Sequence, residues 1–169
     1  MEIRKASFAP VVDARTRVLV LGSLPGEVSL AKAQYYGHPQ NQFWRLMEAV
    51  TGAPLAGAAY ADRLVRLLEA GVGLWDVIES AHRTGSLDGA IRAATPNALA
   101  ELAARLPALK AVAFNGAKSA AVGRKALAGR ADLALVPLPS SSPALTTPFA
   151  AKREAWLALR PYLVPPSPD

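Results

Sequence analysis

The sequence predicts an α/β fold, a three-layer α/β/α sandwich with a central four-stranded parallel sheet. Its four apolar runs are continuous rather than alternating, as expected for strands covered on both faces. Segments with helical spacing lie between these runs, and strands that alternate with helices imply right-handed crossovers and a parallel sheet. The 169 residues suffice for a full core, so we expect a single domain over residues 1–169, with 165–169 as a frayed tail.

The predicted strands and helices follow in order. The strands are 17–22, 72–78, 111–115 and 133–138. Thr95-Pro96 and Thr147-Pro148 each predict a helix start, because a capping hydroxyl precedes a first-turn proline. The Ala-rich segment 117–127 is also predicted to be helical. The apolar stripes with helical spacing are Phe43, Leu46, Met47 and Val50; Leu64, Leu67 and Leu68; Leu99, Leu102, Ala103 and Leu106; and Phe149, Trp156 and Leu159.

Composition favours a polyanionic partner and argues against several site types. Lys and Arg total 19 against 13 acidic residues, a net charge of +6 that suits nucleic acid, although many basic proteins bind no polyanion. The absence of cysteine excludes disulfides, thiolate-bound zinc and iron–sulfur clusters, and two histidines make a histidine metal site unexpected. We therefore expect no metal and no cofactor. No apolar run approaches the ~20 residues of a membrane span, so a cytoplasmic protein is expected.

Two polar loops follow predicted strands and mark the expected site. Residues 22–44 read GSLPGEVSLAKAQYYGHPQNQFW, and residues 138–147 read LPSSSPALTT. The carboxyl ends of parallel strands meet at one edge of the sheet, where open α/β sheets bind ligands. A cleft between the two loops is therefore predicted.

Several familiar catalytic motifs do not occur. GSLPG at 22–26 lacks the spacing of a dinucleotide fingerprint and the Gly-Lys-Ser/Thr of a P-loop. The chain has no G-x-S-x-G elbow, and it lacks the His-x-Glu and Cys pair of a zinc deaminase. A triad of Ser141, His38 and Asp76 has no support from spacing.

Four segments occur in a characteristic order: GSLPG at 22–26, YYGHPQNQFW at 35–44, FNG at 114–116 and LPSSSP at 138–143. With the block 73–88, they resemble the uracil-DNA glycosylase superfamily, most closely its hypoxanthine-DNA glycosylase branch, with mismatch-specific and thymine-DNA glycosylases as neighbours. Each motif is weak alone, but the ordered set is fairly specific. The resemblance implies a three-layer fold and excision of a base from DNA.

One departure from the neighbouring enzymes concerns Ser23. The mismatch-specific and thymine-DNA relatives carry Asn there, where it positions the attacking water, and a hydroxyl cannot reproduce a carboxamide's two-ended hydrogen bonding. Strong uracil or thymine excision is therefore not expected. In the hypoxanthine branch the important Asn lies in the second segment, which makes Asn41 the expected catalytic residue.

The resemblance assigns the remaining roles. Asn41 would orient the water or hydrogen-bond the base, although its position also suits a helix N-cap. Tyr36 would stack on the base, whereas Tyr35 is expected to be a core aromatic. Ser23 joins Asn41 as a catalytic candidate. The expected base-binding residues are Tyr36, Leu24, Gly22, Gly26, His38 and Asn115, and the expected DNA contacts are Ser140, Ser141, Ser142, Pro143, Ser29 and Ser86.

Ordinary structural roles compete with these assignments. The first loop could be a plain strand-ending turn, His38 a structural histidine, Asn115 a turn residue, and the serine segment a loop without function. The sequence around Lys32 shows no sign of the depressed pKa that a lyase needs, so we expect a monofunctional enzyme that leaves an abasic site.

The leading hypothesis is a monomeric glycosylase that removes hypoxanthine from DNA. Its rivals are excision of uracil or thymine from mismatches in the same site, and a catalytically weak DNA module that recognises lesions. Composition alone would also allow a small-molecule α/β enzyme that uses the same sheet edge.

Overall fold

The computed structural model describes residues 4–83, 85–88 and 91–163. In chain order its elements are β1 (Arg4–Ala6), β2 (Val18–Gly22), α1 (Glu27–Lys32), α2 (Phe43–Thr51), α3 (Tyr60–Ala70), β3 (Val72–Asp76), β4 (Ile78–His82), β5 (Arg92–Pro96), α4 (Leu99–Ala104), β6 (Ala111–Asn115), α5 (Ala117–Ala126), β7 (Ala134–Leu138), α6 (Phe149–Trp156) and a 3₁₀ helix (Leu157–Tyr162).

The central sheet confirms the predicted fold class. Four parallel strands lie in the order β3-β2-β6-β7, and Val18 pairs with both Val72 and Ala111. All five residues of β2 and of β6 are buried. Continuous apolar runs therefore mark central strands here, because helices cover both faces of the sheet.

Alternate residues of β2 enter two different hydrophobic layers. Val18 and Val20 pack into a cluster that includes Phe43 of α2 and Trp156 of α6. Leu19 and Leu21 pack on the opposite face, into a cluster shared with α4 and α5. This two-sided core produces the three-layer sandwich and fixes the ends of the parallel strands at one edge.

A three-stranded antiparallel sheet, in the order β1-β4-β5, was not predicted. The predicted strand 72–78 ends at Asp76, and Ile78 begins β4. The predicted helix start at Thr95-Pro96 is wrong: both residues belong to β5, where Pro96 pairs with Ile78, and α4 begins at Leu99. Strand pairing overrides the local capping signal, and proline is tolerated because β5 is an edge strand.

The other predicted helices are found with small shifts. The predicted segment 117–127 is helical from Ala117 to Ala126, and Pro148 precedes α6. Leu159 lies in the 3₁₀ helix rather than in α6. The predicted tail falls outside the described residues. Within the described part of the chain, no helix is long and apolar enough to cross a membrane, and no group of three metal-ligating side chains is found.

Candidate active site

A cavity of about 500 Å³ lies at the carboxyl edge of the parallel sheet. The ends of β2, β3 and β6 contribute Gly22, Asp76 and Asn115, and the loop after β7 closes the opposite side. Every residue predicted for catalysis, base binding or DNA contact lines this cavity. So do Asp76 and Asp88, to which the sequence assigned no role.

Two asparagines from different elements meet through Ser141. Ser141 Oγ donates to Asn41 Oδ1 at 2.8 Å and accepts from Asn115 Nδ2 at 2.9 Å. Asn115 Oδ1 also accepts from the Ser141 N–H at 2.9 Å. Ser141 was predicted to contact DNA, but it is only 1% exposed. Its hydroxyl and its N–H are both engaged inside the protein.

The hydrogen bonds of Asn41 define which end of its side chain is free. Oδ1 accepts from the Phe43 N–H at 2.9 Å, at the start of α2, and also from Ser141 Oγ. Asn41 thus supports the helix start, as the capping alternative predicted, although the residue at the N-cap position is Gln42. Nδ2 has no hydrogen-bond partner among the described residues. The side chain therefore offers the cavity a donor, and its acceptor is occupied.

Tyr35 belongs to the core, whereas Tyr36 lines the cavity and stays a candidate for stacking on the base. Tyr35 is buried against Phe8, and its hydroxyl donates to the Ala9 carbonyl at 2.8 Å, so it is a core residue. Tyr36 adopts a left-handed backbone with φ of 53°, which is uncommon for a residue with a side chain. One face of its ring stacks on Phe43 with centroids 3.9 Å apart. Within the described residues its buried hydroxyl has no hydrogen-bond partner.

Asp76 is a buried carboxyl group in the cavity wall. Its Oδ2 atom has no hydrogen-bond partner in the described part of the chain. Burial, reinforced by the charge of Asp88 and opposed by that of Arg83, raises the pKa of Asp76 to about 7. Gly22 allows this carboxyl group to lie close, because a Cβ at position 22 would fall 2.6 Å from Asp76 Oδ1 and 3.1 Å from Tyr36 Oη.

The raised pKa of Asp76 predicts how stability depends on pH. The folded state favours the protonated carboxyl. The contribution of Asp76 to the free energy of unfolding is therefore complete below pH 3.8 and is lost as the pH rises through about 7. A shift of about three units corresponds to roughly 4 kcal/mol as an upper bound. We therefore expect Asp76→Asn to stabilise the protein more at pH 8 than at pH 4.5 in urea unfolding. The matched control is Asp132→Asn at an exposed carboxylate; an equal gain in that variant would contradict the assignment to Asp76.

Ser23 and Asp88 form a second polar pair in the wall. Ser23 Oγ donates to Asp88 Oδ1 at 2.5 Å. Arg83 lies behind Asp88, with its Nη1 atom 3.8 Å from Oδ1, and its side chain is fully buried. Arg83 Nη2 also donates to the Pro25 carbonyl. The guanidinium thus links the loop after β2 to the loop that carries Asp88.

Several predicted residues also hold the rim of the cavity together. Ser86 Oγ accepts from the Glu27 N–H at 2.9 Å. Gly26 packs closely on the same serine, because a Cβ at position 26 would lie 3.0 Å from Ser86 Oγ. Ser29 Oγ accepts from the Gly37 N–H at 2.9 Å. His38 Nδ1 accepts from the Gln40 N–H at 3.0 Å, which supports the structural alternative for this histidine.

Lys152 of α6 braces the loop on the opposite rim. Its buried Nζ atom donates to the carbonyls of Ser142 and Leu145, at 3.1 Å and 2.8 Å. Burial lowers the pKa of this ammonium group. Leu145 itself is 38% exposed. The lysine therefore fixes an apolar side chain at the mouth of the cavity.

Four residues of the site were not predicted from the sequence: Asp76, Asp88, Arg83 and Lys152. A signal for Asp76 existed, because it ends a strand at the same edge as Gly22, but the predicted strand ran on to residue 78 and hid that end. Asp88 and Arg83 lie outside the predicted loops. Lys152 resembles any polar residue of a surface helix.

Comparisons with known proteins find relatives similar in sequence and in fold. A family model described as the uracil DNA glycosylase superfamily matches residues 9–160. A protein of Methanosarcina barkeri named hypoxanthine DNA glycosylase is 45% identical over 117 residues, 69% of this chain and 74% of its own. One of the same name from Methanosarcina acetivorans is 41% identical over 115 residues, 68% and 73% of the two chains. A solution NMR structure from Methanosarcina acetivorans, described as a candidate uracil DNA glycosylase, aligns with a TM-score of 0.85 at 36% identity, covering 95% of this chain and 99% of that one.

Proposed function

The chain belongs to the uracil DNA glycosylase superfamily, and we propose that this DNA N-glycosylase removes hypoxanthine, the deamination product of adenine, and leaves an abasic site. An enzyme that acts on a base in DNA must first take it out of the stack. The cavity of about 500 Å³ at the sheet edge offers room for one extruded base. The relatives named hypoxanthine DNA glycosylase support the choice of base.

The observation that carries this proposal is the unpartnered carboxyl oxygen of Asp76 in the cavity wall. Deamination of adenine places a hydrogen on ring nitrogen N1, where adenine itself has a lone pair. An ionised carboxylate only accepts hydrogen bonds. When it is ionised, above its pKa of about 7, Asp76 can therefore bind the N1–H of hypoxanthine and would repel N1 of adenine, so it distinguishes the damaged base from its parent.

Asn41 is proposed to stabilise the departing base. When the N-glycosidic bond breaks, its electron pair leaves with the base, and a donor placed at the growing negative charge lowers the barrier. Because Asn41 Oδ1 already accepts two hydrogen bonds, Nδ2 is the available end. Of the two roles that the sequence left open for Asn41, hydrogen bonding to the base therefore fits better than orientation of the water. The free face of Tyr36 is proposed to stack on the base.

The loop after β7 is proposed to hold the DNA strand. Ser140 and Ser142 remain the phosphate candidates, and Leu145 would fill the gap left by the extruded base. Ser141 acts from inside, because it aligns Asn41 with Asn115.

Lys152→Met should weaken DNA binding without unfolding the protein. The variant removes the ammonium group that makes both hydrogen bonds to the loop. Methionine replaces this buried charge by an apolar side chain of similar length. We expect the Kd for a deoxyinosine duplex to rise about tenfold, the cost of roughly one hydrogen bond to a charged group. Lys125→Met removes the same charge from an exposed position of α5 and is the control. Equal weakening of DNA binding in both variants would show that the lost positive charge, and not the lost brace on the loop, causes the effect.

Uracil is the second candidate base. Its N3–H lies beside a carbonyl, so it offers Asp76 the same donor as hypoxanthine. Size distinguishes the two bases, since a purine fills more of the cavity.

A substrate panel tests the proposal. Purified protein in excess is incubated with duplexes that contain one deoxyinosine, one deoxyuridine or no lesion, and is then treated with alkali. We expect strand breaks at deoxyinosine that depend on the alkali. Faster breakage at deoxyuridine would favour the second candidate, and breakage without alkali would contradict a monofunctional enzyme. Binding without any breakage would indicate a lesion-recognition module.

A further inference from the structure

We propose that Asp88 is a positioning residue that fixes the Ser23 hydroxyl as the hydrogen-bond acceptor for the attacking water. The inference rests on the proposed glycosylase function and assigns a role to a carboxylate that the sequence analysis left without one, at the end of the block 73–88. Asp88 and Ser23 both line the cavity.

The Ser23–Asp88 hydrogen bond determines what Ser23 can offer. A serine hydroxyl has one hydrogen and two lone pairs. Its hydrogen is committed to Asp88 Oδ1 at 2.5 Å. Toward the cavity, Ser23 Oγ can therefore only accept. A water that donates to this oxygen turns a lone pair of its own away from Ser23, which is the orientation that a nucleophile needs.

The surroundings hold Asp88 in place. The buried Arg83 lies 3.8 Å from Oδ1, so a positive charge faces the carboxylate. The preceding residues are anchored on two sides: the Gly85 carbonyl accepts from Lys5 Nζ at 2.8 Å, and Ser86 Oγ accepts from the Glu27 N–H. The Ser23 backbone is fixed as well, because its carbonyl accepts from the Ile78 N–H at 3.1 Å. Other contacts therefore fix both residues of the Ser23–Asp88 hydrogen bond.

Ser23 offers the water an acceptor that the neighbouring carboxamides do not match. Asn41 Oδ1 already accepts two hydrogen bonds, from the Phe43 N–H and Ser141 Oγ. Asn115 Oδ1 already accepts one, from the Ser141 N–H, which leaves it a single lone pair. Asp76 is proposed to face the base itself. Ser23 directly follows β2 and has no second hydrogen-bond partner for its hydroxyl among the described residues.

Asp88 also limits what the Ser23 hydroxyl can present to the cavity. A lone hydroxyl can rotate and present its hydrogen instead of a lone pair. The hydrogen bond to Asp88 removes that freedom.

The reaction step balances without a further reactant. The water oxygen forms a bond to C1′ as the C1′–N9 bond breaks, and the electron pair of that bond leaves with hypoxanthine. The proton that the water loses passes to solvent. Asp88 takes up no proton in this step, so an uncharged acceptor at position 88 can also accept the hydrogen bond from the Ser23 hydroxyl.

A double-mutant cycle tests this role in single-turnover cleavage of a deoxyinosine duplex. We expect Asp88→Ala and Ser23→Ala each to slow cleavage about 30-fold, the effect of one lost hydrogen bond to a charged group. The double variant should be no slower than either single variant, because Asp88 acts through Ser23. Asp88→Asn keeps an acceptor oxygen for Ser23 and should recover cleavage to within about threefold of wild type.

A binding measurement separates positioning from loop structure. Affinity for a duplex with 2′-fluoro-deoxyinosine, whose glycosidic bond resists cleavage, should be unchanged by Asp88→Ala. A parallel loss of affinity and rate would overturn the proposal, as would multiplicative losses in the double variant or failure of Asp88→Asn to recover. Wild-type protein is assayed first on deoxyinosine and deoxyuridine. If only uracil is released, the base proposed above is wrong, and the same cycle on deoxyuridine still tests Asp88.

Discussion

Asn41→Asp will slow single-turnover release of hypoxanthine by about 10²–10³-fold, the range found when one preorganised donor to a developing anion is removed. Aspartate keeps an oxygen that can accept from the Phe43 N–H and from Ser141 Oγ, so the start of α2 and the loop after β7 stay in place. It replaces the free Nδ2 donor by an acceptor. The expected loss is therefore chemical and not structural.

Asn41→Ala provides the comparison. It removes the same donor but also leaves the Phe43 N–H and Ser141 hydroxyl without their partner, which costs about 1–3 kcal/mol of stability. We expect both variants to be slow and only the alanine variant to show a lowered Tm by circular dichroism. If Asn41→Asp cleaves at the wild-type rate with a native spectrum, Asn41 serves only the helix start.

Asp76→Leu will abolish discrimination in favour of hypoxanthine by removing the acceptor for N1–H. Leucine resembles aspartate in size and leaves no buried polar oxygen, so the fold should persist. The lost hydrogen bond predicts a decrease of up to about 100-fold in single-turnover rate, the upper range for a bond to a charged group.

Asp76→Asn is the matched control for that loss. A carboxamide oxygen can still accept from N1–H, so this variant should retain more activity than the leucine variant. Asparagine cannot ionise. Because burial raises the pKa of Asp76 to about 7, any change in rate between pH 6 and pH 8 that comes from Asp76 should vanish in this variant. Equal activity of Asp76→Leu and wild type would exclude Asp76 from base recognition.

The central layer of the fold was predictable because its strands are buried on both faces. A short, continuous apolar run bounded by turn residues is typical of such a strand, and β2 and β6 were predicted within one residue of their bounds. The antiparallel sheet was not predictable in the same way. Its strands are short, and β4 has exposed Glu79 between buried Ile78 and Ala81, so no run of apolar residues marks it.

The site could be located from the sequence, but its internal hydrogen bonds could not. Loops after β2 and β7 had to meet, since their strands are parallel and end at one edge. Nothing in a run of three serines reveals that the middle one faces inward and joins two asparagines. Likewise, the hydrogen bond from Ser23 to Asp88 spans 65 positions, and only the fold brings these residues together.

The central claim is that this enzyme releases hypoxanthine from DNA. Its most direct test is mass spectrometry of the free base after wild-type protein, in excess, has been incubated with a duplex containing one deoxyinosine. A parallel duplex carries deoxyadenosine at the same position. We expect a time-dependent hypoxanthine peak from the first duplex and no adenine from the second. Absence of free hypoxanthine, or equal release of adenine, would contradict the claim.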